Sequence, residues 1–332
     1  MGDSLFPETS PGALPRKSVE LRVAIDELVV DLGQLLQNPP DEAHFLGRLE
    51  DLVDRVGFLM RVDTEGMLFV LFQRAQYNTD HYSSSHALLC AVICRLMARE
   101  LRMRTLESGA LIGAALTMNI AMTALQNELA TQATPMTQQQ RQAIQSHAVR
   151  GRLQLAALGV SNELWLDIVT THHEVVEALQ GAAFEQPSIY LPRILGLVDR
   201  YTAGLTPRSS RTALTSMQLA EGAHNANAPG YDSAAAALVK AIGVCPPGTY
   251  VRLINDEVAV VLRGGKRVNQ PLVASVLAAS SSGQQARMRL IDTARPEFMV
   301  NGGMLAADLD IVLPDYTKLA RLLPSKTERA AQ

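Results

Sequence analysis

Thr171-His172-His173-Glu174 lies in an apolar run from Leu164 to Leu179 whose spacing predicts a helix. Two adjacent imidazoles stand out there, because the chain of 332 residues holds seven histidines. Side chains next to each other on a helix diverge by about 100°. Both rings then reach one cavity if that cavity wraps the helix. Neutral imidazole is the commonest metal ligand; the alternative is one ring packed in the core and the other solvated. Read with His147 upstream and Asp199 downstream, the pair forms a candidate ligand set inside a mainly α chain.

The helical pattern extends in both directions from this stretch. Upstream, Thr137 and Gln140 fit a capping box that opens a helix through His147, Gly151, Leu153 and Leu155. Gly159 marks its end and Asn162 caps the helix of the histidine pair. Downstream, Ser188 or Pro192 begins a helix carrying Ile194, Leu195, Val198 and Asp199. Further upstream, His86 begins a helix through Leu88, Val92, Leu96 and Leu101. Leu106 to Met122 reads as one apolar helix of small residues suited to close packing.

The two ends differ from this middle. Residues 1–17 carry Pro7, Pro11 and Pro15 and are expected to be a disordered lead-in. Residues 18–78 form an N-terminal helical region. It has a first run from Ser18 stopped by Asn38-Pro39-Pro40, a second with Asp41 as N-cap, and a third from Met67 to Ala75. It shows no chemistry of its own and suits a sensor or dimerisation role; His44 reads as surface. Residues 79–244 form the central helical domain. Residues 245–332 are β-rich: Thr249 to Ile254 and Val258 to Leu262 flank Asn255-Asp256-Glu257 as a β-hairpin. Pro271 to Ala278 and Met288 to Ile291 add strands, and Tyr316 to Leu323 closes the chain as a short helix.

Bulk properties exclude some functions. A net charge of -3 argues against nucleic-acid binding, which needs a basic face. The 47% hydrophobic content supports a full core. Met1 to Pro15 lacks the apolar centre of a signal peptide, and no uninterrupted apolar run reads as a membrane span, so a cytoplasmic protein is expected. Cys90 and Cys94 lie one turn apart in an apolar run and read as core residues first, with a metal or redox pair as the alternative.

His86, the helix ending Ala114-Ala-Leu-Thr-Met-Asn-Ile-Ala-Met122, then His147, His172-His173-Glu174 and Asp199 resemble an HD-GYP domain in order and spacing. The likeness runs from about His81 to Leu262 and takes in Asp199-Arg200-Tyr201, Arg208, Arg211, Gly230-Tyr231-Asp232 and Pro246-Pro-Gly-Thr-Tyr-Val-Arg-Leu253. The resemblance implies an HD-domain-like helical bundle and metal-dependent hydrolysis of cyclic di-GMP. It implies that His147, His172 and His173 serve one metal, that His86 and Asp199 belong to another, and that Arg208 and Arg211 touch phosphate.

The chain departs from the family at its namesake. The His-Asp pair falls on Met118-Asn119, the nearby lysine falls on Met122, and the Gly-Tyr-Pro loop is missing after Glu174. The family aspartate bridges two metal ions, and the metals generate the attacking hydroxide. Asn119 offers one neutral carbonyl and an NH2 that binds no metal. The Met118 thioether suits hard ions poorly. Two cations near about 4 Å repel strongly unless carboxylates offset them, so at least one site should empty.

The leading expectation is a catalytically inactive HD-GYP-like regulatory or binding protein in bacterial cyclic di-GMP-type signalling. One divalent ion, Zn, Mn or Fe, at the three histidines is compatible with it, as is none. Cyclic di-GMP or signalling proteins are the implied partners, with room for a homodimer. One alternative is a single-metal phosphohydrolase with Asp199 as base. Another is a protein-interaction scaffold like the HDOD group.

Overall fold

The computed structural model describes residues 18–77, 79–174, 186–208, 212–225, 231–277, 288–309 and 316–323. The protein is mainly helical, with a small antiparallel sheet towards the C-terminus. The helices are α1 (Ser18–Gln37), α2 (Glu42–Tyr77), α3 (Tyr82–Glu100), α4 (Thr105–Thr117), α5 (Thr123–Thr131), α6 (Gln138–Ala157), α7 (Glu163–Thr171), α8 (Pro187–Leu205), α9 (Ser216–Asn225), α10 (Tyr231–Ile242) and α11 (Tyr316–Ala320). The strands are β1 (Tyr250–Leu253), β2 (Val258–Arg263), β3 (Leu272–Leu277), β4 (Leu290–Asp292) and β5 (Val300–Met304).

The helix α3 is the hub. Every residue from His86 to Cys94 is buried, the mark of a helix apolar on all sides. It packs against α1, α2, α4, α5, α8 and α10. One apolar core runs from Leu21 through Phe45, Leu88, Leu111, Val198 and Val260 to Leu319. It therefore joins the N-terminal helices, the central helices, the sheet and α11. The two N-terminal runs expected around residue 63 form one element, α2, kinked at Asp63. The Asp63 carboxylate accepts the Gly66 N–H at 3.0 Å, capping the second half. It also accepts the Tyr316 hydroxyl at 3.0 Å, which fastens α11 to the kink.

The sheet has strand order β4-β3-β2-β1-β5, and the expected hairpin is β1 with β2, registering Val251 on Ala259. Successive strand side chains face opposite sides. Tyr250, Val260, Leu262 and Ala274 face the helical core. Val251, Leu253, Ala259, Val261, Val273 and Ile291 face a second cluster with Cys245. Strand β5 and its pairing with β1 were not expected from the sequence.

Three helix boundaries differ from expectation. The helix of the histidine pair ends at Thr171, and His172 and His173 form a turn. The His172 ring takes the Val169 carbonyl that a further turn would have used; residues 175–179 of the expected helix lie outside the described residues. Leu106 to Met122 is not one helix. Its α4 part stops at Thr117, Met118 and Asn119 turn, and a 3₁₀ turn over Ile120–Met122 leads into α5. Asparagine is a poor helix former, and the Thr123 hydroxyl takes the Asn119 carbonyl at 3.1 Å. Lastly, α8 starts at Pro187, where the missing N–H costs nothing, and runs on through Pro192. The Thr137–Gln140 capping box, the Asn162 cap and the stop at Gly159 match expectation. Among the described residues one stretch is long and apolar enough to cross a membrane, Thr105–Thr131, and most of its apolar window is buried inside the protein; the turn at Met118-Asn119 divides it.

Candidate functional site

Three elements bring the predicted histidines together. His147 sits on α6, His172 caps the end of α7, and His173 follows it. Glycines set the spacing. Gly151, one turn after His147, lies in ordinary contact range of Val169 on α7 and of the Met118 backbone. Gly196 on α8 lies against the His172 carbonyl, where a Cβ would collide. The turn at the end of α7 solves the divergence of neighbouring side chains: the His172 and His173 ring centroids are 4.0 Å apart. His147 lies 5.5 Å from His172 and 5.0 Å from His173. One ligand atom from each of the three lies within 4.8 Å of the others.

Hydrogen bonds orient two of the rings. His147 Nδ1 donates to the Ile144 carbonyl at 2.5 Å, and His172 Nδ1 donates to the Val169 carbonyl at 2.8 Å. That fixes the tautomer and leaves an Nε2 lone pair on each ring. Both Nε2 atoms are buried and have no hydrogen-bond partner. Each side chain is 2% exposed. Burial pushes the His172 pKa down to about 3, helped by the charge of His173. Burial also lowers His147, against its bond to Ile144. Both rings are therefore neutral near pH 7 and able to ligate.

A second group adjoins the first. His86 Nε2 is 2.8 Å from Asp199 Oδ1, and Cys90 Sγ lies 3.6 Å from the same His86 nitrogen. Cys90 also meets the Thr202 hydroxyl at 3.1 Å. Burial disfavours the His86 imidazolium, while Cys90 and Asp199 favour it. Burial raises the Cys90 thiol and keeps it neutral, so the Asp199 carboxylate is what holds His86 protonated, with a pKa raised to about 10. Asp199 is buried too, yet His86, His172 and His173 hold it well below the usual carboxylate range. The structure thus brings His147, His172 and His173 into one group and His86 and Asp199 into the other.

The remaining predicted positions fall as follows. Met118 and Asn119 are buried in the turn after α4, and Met122 is half-buried before α5. Arg208 hydrogen-bonds the Tyr82 hydroxyl and lies 4.8 Å over the Tyr82 ring, which itself stacks on His86 at 5.7 Å. Arg211 lies outside the described residues. Sequence reading missed Tyr82, Cys90 and Thr202 as neighbours of this group. Spacing held the signal: Tyr82, His86 and Cys90 recur every four residues, and Asp199 and Thr202 are three apart, which are same-face intervals on a helix.

Comparison with models of known protein families, with curated proteins and with solved structures finds no match for this chain.

Proposed function

We propose that this protein is a binding or regulatory module related to HD-GYP domains, with a three-histidine site for one divalent cation and no hydrolytic activity towards cyclic di-GMP. One observation carries the reading: the buried Nε2 atoms of His147 and His172 have no hydrogen-bond partner, although each ring is oriented through its other nitrogen. Buried polar atoms left without a partner are costly, and a cation would satisfy both. Backbone carbonyls on the far nitrogen are the usual support of a metal-ligating histidine. Three imidazoles fit Zn, Mn or Fe, and zinc sites of three histidines are well precedented. His147, His172 and His173 would hold the ion, which would supply Lewis-acid charge.

Inactivity follows from the carboxylates. Asn119 stands where the resemblance calls for the bridging aspartate, and Asp199 is engaged by His86. The HD-domain fold, the cyclic di-GMP signalling context and a homodimer rest on the resemblance.

Elemental analysis and a cyclic di-GMP phosphodiesterase assay on one preparation test the reading. One equivalent of transition metal, lost in His172→Ala, together with no hydrolysis, is expected. Metal-free protein after metal-supplemented expression would remove the site. Hydrolysis abolished by His172→Ala would instead establish a single-metal phosphohydrolase with Asp199 as base. That second reading draws support from the nearness of Asp199 to His172 and His173, whose charges lower its carboxyl. Calorimetry with cyclic di-GMP separates a nucleotide sensor from a pure protein scaffold, which gives no heat.

A further inference from the structure

Arg61 and Arg95 meet beside Gly57 where α2 packs on α3, Arg99 follows one turn on, and among the described residues none of the three side chains makes an ion pair. Arg95 and Arg99 are one turn apart on α3, and Arg61 is one turn after Gly57 on α2. Gly57 is buried, and the position its Cβ would take lies 3.2 Å from Arg95 Nη2 and 3.5 Å from Arg61 Nη1. The two guanidiniums therefore crowd over the same bare backbone. Among the described residues none of the three guanidiniums forms an ion pair or a hydrogen bond. Arginines elsewhere on α2 do find partners: Arg55 is 2.7 Å from Asp31, and Arg74 is 2.5 Å from Asp26.

Like charges brought together without a counter-charge repel. Burial pushes Arg95 below the ordinary arginine range, and the nearby Arg61 and Arg99 push it further, with Asp54 opposing. A partly buried guanidinium surrounded by its own kind calls for an anion. Planar forks match the oxygens of a phosphoryl group, which can accept from several at once. A carboxylate would balance one of the three charges, whereas a phosphate dianion balances two.

We propose that Arg61, Arg95 and Arg99, over Gly57, form a binding site for the phosphoryl group of a small molecule. The site is separate from the His86–Asp199 pair: Arg95 lies nine residues along α3 from His86, about 14 Å at the rise of an α-helix. It does not depend on the function proposed above.

Calorimetric titration at constant chloride tests it with inorganic phosphate, pyrophosphate and a nucleoside diphosphate in turn. The full chain and His172→Ala are both used, so that phosphate meeting a cation at the histidines is not counted. Saturable one-site binding of at least one of the three anions, equal in both proteins, is expected. Arg95→Ala should weaken it at least tenfold. Arg99→Ala changes an exposed residue and should weaken it severalfold without touching the core. Gly57→Ala should weaken it as well, by displacing both guanidiniums. Circular dichroism checks each variant for native helix content. No saturable binding by the full chain would overturn the site. So would binding that persists unchanged in a natively folded Arg99→Ala or Arg95→Ala protein.

Discussion

His86 Nε2 and Asp199 Oδ1 stand 2.8 Å apart, joining α3 to α8. The two side chains are 3% and 14% exposed. Breaking a buried pair from one side leaves a stranded charge and costs about 3–5 kcal/mol. His86→Ala and Asp199→Ala should each lower stability by that order in urea denaturation. The double variant should lose clearly less than the sum of the two. Additive losses would mean that the pair contributes no coupling.

Gly196 lets α8 lie against the His172 carbonyl. Gly196→Ala forces either α8 or the end of α7 to move, and overpacking of this kind costs about 1–3 kcal/mol. The shift should also misplace His172, so metal content should fall together with the melting temperature. Full metal content in a destabilised Gly196→Ala protein would separate packing from the site.

Gly113 on α4 faces the ring of Trp165 on α7, and the Trp165 Nε1–H donates to the Thr117 hydroxyl at 2.9 Å. Trp165 is the sole tryptophan of the chain. Gly113→Ala should push the ring aside, at a cost of about 1–3 kcal/mol. Its emission should shift to the red as water reaches the indole. An unchanged spectrum with unchanged stability would show that the ring relaxes freely.

Glu107, buried in the first turn of α4, accepts Arg104 N–H at 3.2 Å and Arg104 Nε–H at 2.7 Å. Burial raises its pKa, but the bonds from Arg104 and Tyr190 outweigh burial and hold it below the usual value. A carboxylate lowered by folding stabilises the protein above its unfolded pKa, and that contribution fades as pH falls through the folded one. Glu107→Gln should cost about 1 kcal/mol near pH 7, the modest worth of a cap whose arginine is largely in solvent. The gap between wild type and variant should narrow below about pH 4, as melting temperatures across pH would show. A gap constant down to pH 3 would assign the loss to packing.

Much of the helical layout was legible locally. The Thr137–Gln140 box, the Asn162 cap and the Gly159 stop are set by side chains within three residues of the backbone groups they satisfy. The β1–β2 hairpin was legible for the same reason, through its turn residues and apolar runs. Boundaries set by competition with longer-range contacts were not. The turn at Met118-Asn119 and the end of α7 pack against α6 and α8, contacts that no local pattern carries.

The sequence by itself determined which residue types are available: three imidazoles, one aspartate, and Met118-Asn119 where a bridging acid would be needed. Tertiary structure decided how they are used. Adjacent residues on a continuous helix point about 100° apart, and the turn that ends α7 is what lets His172 and His173 face His147 together. Asp199 is tied to His86, and the Arg61, Arg95 and Arg99 side chains find no ion pair among the described residues, because α2, α3 and α8 meet where they do. Burial then fixes the charge states: it makes the His147 and His172 rings neutral, while a carboxylate at 2.8 Å makes His86 an imidazolium.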